Sequence, residues 1–132
     1  MSVDWRNLLA VALGGAVGSS GRYLLGIASL HRFGPYFPWG TLAINLTGSL
    51  LIGLVGELAL GRAFGMTSGV RLFLMVGVLG GFTTFSAFSL EAVGLIVNRP
   101  PLIALGYIGG SVVASLVLCY LGILAGRVLI HL

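Results

Sequence analysis

The sequence predicts an all-α integral membrane protein with four transmembrane helices, on three grounds. Hydrophobic residues make up 58% of the 132 residues and charged residues only 8%, with a mean hydropathy of +1.11, whereas a soluble domain carries about 25% charged residues. The apolar residues gather into four runs, each close to or above the roughly 20 residues that carry a helix across about 30 Å of hydrocarbon. The segments between the runs are short and hold all four prolines and three of the seven arginines. A single four-helix domain over residues 1–132 follows, with spans at about 7–30, 39–60, 70–97 and 102–128.

The first span follows Arg6, in the manner of a signal peptide. Its apolar stretch outruns the roughly 7–15 residues of a signal h-region, so it is expected to be a retained helix. It ends at His31-Arg32-Phe33-Gly34-Pro35-Tyr36-Phe37-Pro38, where prolines and aromatic residues mark a turn at the membrane interface. His31 and His131 lie near such ends, without partners at metal-ligand spacing. The second span begins at Trp39. A loop over residues 61–69 leads to the third, and Asn98-Arg99-Pro100-Pro101 separates the third from the fourth. Short connections make successive helices antiparallel and bring both termini to one side.

All seven basic residues are arginines, set against Asp4, Glu57 and Glu91. They stand singly along the chain and form no patch of the kind that binds nucleic acid. By the positive-inside rule Arg6, Arg62, Arg71 and Arg127 on the terminal side oppose Arg32 and Arg99 on the other. So small a bias specifies orientation weakly, which makes insertion both ways round physically reasonable. A chain this small is expected to work as an oligomer, and four small-xxx-small pairs offer packing faces: Gly14 with Gly18, Gly77 with Gly81, Gly106 with Gly110, and Gly122 with Gly126. Cys119 is the single cysteine, so an internal disulfide is excluded.

Polar side chains inside hydrocarbon are costly and face a partner helix or a wet path. Thr41, Asn45 and Ser49 recur every four residues on the second span, and Tyr107, Ser111 and Ser115 do so on the fourth. Such stripes bond neighbouring helices, or they replace the water around a small anion with O–H and N–H donors that carry no charge. At the middle of the third span stands Gly80-Gly81-Phe82-Thr83-Thr84-Phe85-Ser86-Ala87-Phe88-Ser89. Paired glycines before two threonines are a poor helix, so a mid-membrane break is predicted there, with a glycine-packed continuous helix as the alternative. Carbonyls freed by a break require a cation, water or another helix. With no carboxylate nearby in sequence, a single monovalent cation fits better than a divalent one. Phe85 and Phe88 share a face beyond that point, where they pack as ordinary apolar rings or turn electropositive ring edges to an anion. Arg22, inside the first span, either snorkels to the interface or supplies positive potential to a vestibule.

These motifs resemble those of the Fluc/CrcB fluoride channel family over the whole chain. The matching pieces are Gly14-Gly15-x-x-Gly18 with Arg22-Tyr23, then Thr41-Leu42-x-x-Asn45-x-x-Gly48-Ser49, then the stretch from Gly80 to Ser89. The resemblance implies an antiparallel, dual-topology homodimer in a prokaryotic inner or plasma membrane. It would have two fluoride pathways and a central structural Na+ held by main-chain oxygens, and it would relieve fluoride toxicity by passive export. Carried onto matching positions, Phe85 and Phe88 would line fluoride, Asn45 would coordinate it, and Ser111 and Ser115 would be pore hydroxyls. Gly80 and Thr83 would offer carbonyls to sodium, and Thr41, Tyr107, Arg22 and Glu91 are further pathway candidates. The chain departs from the family in having Ser19 where Ala is common and Ala87 where Thr is common, which removes a hydroxyl at the second position.

The alternative is a small multidrug-type exporter, also built from four short spans. Such proteins exchange protons at a carboxylate in the first span, where this chain has Arg22. A non-transporting assembly factor would account for the glycines but not for two hydroxyl stripes beside a break. Enzymatic chemistry is not expected, because no nucleophile has a base or metal partner at suggestive spacing.

Overall fold

The computed structural model describes residues 4–61 and 65–131. Arg62, counted above on the terminal side, lies outside the described residues. The chain runs through α1 (Trp5–Phe33), α2 (Trp39–Leu60), α3 (Ser68–Arg71), a π-helical segment π1 (Leu72–Leu79), α4 (Gly80–Phe82), α5 (Phe85–Asn98) and α6 (Pro101–Ile130). Among the described residues, four helical stretches are long and apolar enough to cross a membrane: α1, α2, Ser68–Asn98 and α6.

Local chemistry sets the ends of these elements. The Asp4 side chain accepts from the Arg6 amide at 2.9 Å and caps α1. At the other end Gly34 takes a positive φ of 73° while its amide bonds the Leu30 carbonyl at 2.9 Å, a conformation that suits a residue without Cβ. Thr67 caps α3 through its side chain, and Pro100-Pro101 opens α6, where a missing N–H costs nothing. Arg32 and Arg99 lie over the rings of Phe33 and Tyr36, at 5.6 and 5.3 Å, beside Trp39. Such a cluster of rings and cations matches an interfacial belt.

Packing runs in two layers joined by small residues. In the first layer α1 lies against π1 and α4, and in the second α2 lies against α6. A Cβ on Gly18 would meet the Val78 carbonyl and the Phe82 amide, and one on Gly77 would sit 2.8 Å from the Gly14 Cα. Gly122 lies so close to the Leu50 carbonyl, and Gly53 to the Cys119 carbonyl, that neither could carry a side chain. Three of the four glycine pairs therefore mark helix contacts within one chain. Gly106 and Gly110 differ, since nothing lies within 4 Å of a Cβ built there.

Few apolar side chains are interior. The buried cluster is Phe88, Ala92, Leu95, Ala104 and Tyr107, between α5 and α6 and roofed by Phe37. Leu13, Leu90, Leu105 and Leu116 are 63%, 76%, 67% and 68% exposed. An exterior this apolar is incompatible with water as the surrounding solvent and suits lipid. The chain is a multi-pass membrane protein.

Candidate functional site

At Thr83 and Thr84 the backbone leaves helical geometry, with φ/ψ of −74°/157° and −152°/117° between α4 and α5. Both glycines before them are helical. The Thr84 amide donates to Asn45 Oδ1 at 2.8 Å, and Asn45 Nδ2 donates to the Thr84 carbonyl at 3.0 Å. One side chain from α2 thus satisfies both polar groups of this residue, which replaces the ladder bonds a helix would make. The Thr84 hydroxyl then accepts from the Ala87 amide at 3.2 Å and starts α5. Gly48, one turn below Asn45 on α2, admits the Thr83 methyl so closely that a Cβ there would collide with it.

A cavity of about 350 Å³ opens beside this bend, bordered by Asn45, Thr83, Phe85, Phe88, Ser111 and Ser115. Ser49, Thr84 and the apolar Ile52, Val112 and Leu116 complete its wall. The Phe85 and Phe88 rings are tilted at 44° with centroids 5.5 Å apart; Phe88 is 8% exposed and Phe85 77%. Ser111 Oγ is buried and, among the described residues, is the one buried side-chain polar atom with no hydrogen-bond partner. Asn45 spends one Nδ2 hydrogen on Thr84 and keeps a second.

A second cavity of about 500 Å³ lies where α2 begins and α5 ends. In its wall Glu91 accepts from the Thr41 hydroxyl at 2.7 Å and from the Tyr107 hydroxyl at 2.8 Å. The leading members of both stripes thus converge on a carboxylate, where the sequence pattern showed only uncharged donors. Tyr107, 1% exposed, packs against Phe88 at 5.3 Å and edge-on to Phe37 at 5.4 Å. Thr41 lies one turn from Asn45, Tyr107 one turn from Ser111, and Glu91 three residues from Phe88. One helical turn on each of α2, α5 and α6 thus links the Glu91 cluster to residues of the smaller cavity or to their neighbours.

The other candidates are placed differently. Gly80 is exposed and Thr83 half-buried. No backbone bond returns from the Thr84 amide to the Gly80 carbonyl or from the Ala87 amide to the Thr83 carbonyl. Arg22 is half-buried on α1 and lines neither cavity. Sequence patterning did not single out Thr84 as the residue that Asn45 grips, because that pairing spans 39 residues.

The family model described as "CrcB-like protein, Camphor Resistance (CrcB)" matches residues 9–123, a stretch that contains every residue of both cavities named above. The chain belongs to the CrcB-like family. Among its curated CrcB-like relatives, the fluoride-specific ion channel FluC of Agrobacterium fabrum is 50% identical over 121 residues, covering 92% of this chain and 96% of the relative. The fluoride-specific ion channel FluC 1 of Nitrobacter hamburgensis is 50% identical over 127 residues, 96% of this chain and all of the relative. The FluC of Chloroflexus aurantiacus is 46% identical over 121 residues, 92% and 95% of the two chains.

Proposed function

We propose that this protein is a fluoride-selective channel that exports fluoride passively across a prokaryotic plasma or inner membrane. The observation that carries this is the unpartnered Ser111 hydroxyl, buried in a cavity with Asn45, Ser115 and the Phe85 and Phe88 rings. A buried hydroxyl without a partner costs about 1–3 kcal/mol, so its retention points to a transient partner. The partner that suits this wall is a small anion. Ser111, Ser115 and the free Asn45 hydrogen replace its hydration, and the rings offer positive edges. Neutral donors bind weakly enough for release, which lysine or arginine at the same place would not. Export relieves the cell of fluoride that enters as the neutral acid and dissociates inside. The relatives' names supply the identity of the ion, and nothing in the donor set calls for an energy source.

The functional unit in this proposal is an antiparallel homodimer of dual topology. Phe85 is exposed at the edge of its cavity, and among the described residues nothing lies within 4 Å of a Cβ built at Gly106 or Gly110 on α6. Both observations suit a second copy. The third span is broken mid-membrane at Thr83 and Thr84, and Gly80 and Thr83 carbonyls from the two subunits hold a structural Na+. Those carbonyls fit such an ion, because the following amides are turned elsewhere and an unanswered carbonyl in hydrocarbon costs several kcal/mol. Among the described residues no group of three or more His, Cys, Asp and Glu could hold a metal. When bound, the ion would fix the two bends against each other. A proton-coupled multidrug exporter is not favoured, since α1 contains no carboxylate.

The deciding experiment is fluoride and chloride efflux from liposomes containing the purified protein. Rapid fluoride efflux with little chloride movement is expected, and equal rates for both ions would overturn the proposal.

A further inference from the structure

Arg99 is an exposed cation in the wall of the larger cavity, which Glu91 also lines. Glu91, half-buried, has one oxygen bonded by buried Thr41 and the other by buried Tyr107. Both donors are neutral, so they solvate the carboxylate without cancelling its charge. A negative charge in that wall raises the barrier to an anion entering or leaving. Arg99 lines the same cavity from the turn between α5 and α6. It is not paired with Glu91: among the described residues the one ion pair joins Arg127 to Glu57, at 3.1 Å. The Arg99 guanidinium is instead held over the Tyr36 ring, 5.3 Å from its centroid. A guanidinium carries five N–H donors, so one held over a ring by its charge keeps donors for other partners. Arg32 provides the contrast. It lies at the same end of the bundle over the ring of its own neighbour Phe33, and it is not part of the cavity wall.

We propose that Arg99, positioned by Tyr36, is the charge that draws anions to the mouth of this cavity and offsets Glu91. This rests on the fluoride reading of the site. Arg99 acts on the local concentration of the anion, so its effect appears at low ionic strength, where the screening length is about 30 Å, and fades near physiological salt, where it is about 8 Å.

The test is the initial rate of fluoride efflux from liposomes at about 10 mM and about 150 mM ionic strength. Arg99→Gln is expected to lower the rate about threefold at the lower value and to approach the unsubstituted protein at the higher, in keeping with loss of a steering charge. Arg99→Lys keeps the charge and most of the rate. Tyr36→Leu gives a smaller loss with the same salt dependence, and Arg32→Gln, outside the cavity wall, gives a clearly smaller loss than Arg99→Gln. An unchanged rate for Arg99→Gln at low salt would overturn the proposal. So would a loss independent of salt, which would mark a structural role, or an equal loss in Arg32→Gln, which would mark general surface charge. Absence of fluoride efflux from the unsubstituted protein would instead overturn the channel function itself.

Discussion

At the scale of single residues, Ser111 separates function from stability because the two respond in opposite directions. Replacing Ser111 by Ala removes a buried hydroxyl that has no partner, so the fold is expected to lose nothing and to gain up to about 1 kcal/mol. If the hydroxyl serves a passing anion, fluoride efflux falls. Melting in detergent and efflux from liposomes, measured on the same preparation, check this; a fall in both would make Ser111 a packing residue. Phe85 gives a complementary test. Its ring is 77% exposed, so Phe85→Leu leaves the subunit's own packing almost unchanged while removing the polarised ring edge. Phe88→Leu removes an edge that is also packed against Tyr107. Efflux is expected to fall about two- to tenfold in each, on the scale of about 0.5–1.5 kcal/mol that an aromatic contact contributes beyond its area. Dimers should persist by crosslinking, and undiminished efflux in both variants would reduce the rings to packing.

At the scale of elements, the four-residue spacing of Thr41, Asn45 and Ser49, and of Tyr107, Ser111 and Ser115, made two cavity walls legible in the sequence. It could not show that their first members meet on Glu91, which depends on how α5 lies against the α2–α6 pair. Nor could it show that the paired glycines stay helical while Thr83 and Thr84 turn extended, because Asn45 on α2 supplies the bonds that the turn gives up. The π-helical stretch Leu72–Leu79 is continuous apolar sequence, and nothing in such a run distinguishes one helical ladder from another. Glycine spacing had the same limit: Gly106 and Gly110 match the pattern of Gly14 and Gly18, but among the described residues a Cβ at either would meet nothing within 4 Å. A prediction follows from that difference. Gly18→Ala drives a methyl into the Val78 carbonyl and the Phe82 amide, main-chain atoms that cannot rotate aside, and should cost at least 1–3 kcal/mol, the usual range for overpacking. Gly106→Ala should leave the monomer fold unharmed and act only on association. Thermal unfolding in detergent beside crosslinking yield checks both; a destabilised monomer in Gly106→Ala would mean that this face already has a partner within the chain.

At the scale of the whole molecule, the surface is too apolar for water, and among the described residues the arginines near span ends divide three to two between the two ends of the bundle. Four helical spans place Arg32 and Arg99 at one end of the bundle and Arg6, Arg71 and Arg127 at the other. Orientation follows the distribution of arginine near span ends and is little affected by acids, so the pairing of Arg127 with Glu57 does not remove it from the count. If one sequence enters both ways round and the opposed copies pair, then any change that makes orientation one-sided must abolish the pair. Ser68→Arg with His131→Arg, both at exposed positions, loads the terminal end. Arg6→Gln and Arg71→Gln, combined with His31→Arg and Leu102→Arg, load the other. Each variant alone is expected to insert in one orientation, shown by one-sided labelling of a cysteine placed in a loop, and to leave cells sensitive to fluoride. Expressed together, the two supply opposed copies, and resistance should return. The joint result discriminates where either variant alone does not, because damage to the fold would persist on co-expression while a missing partner would be restored. Resistance from a single one-sided variant would show that opposed copies are not required.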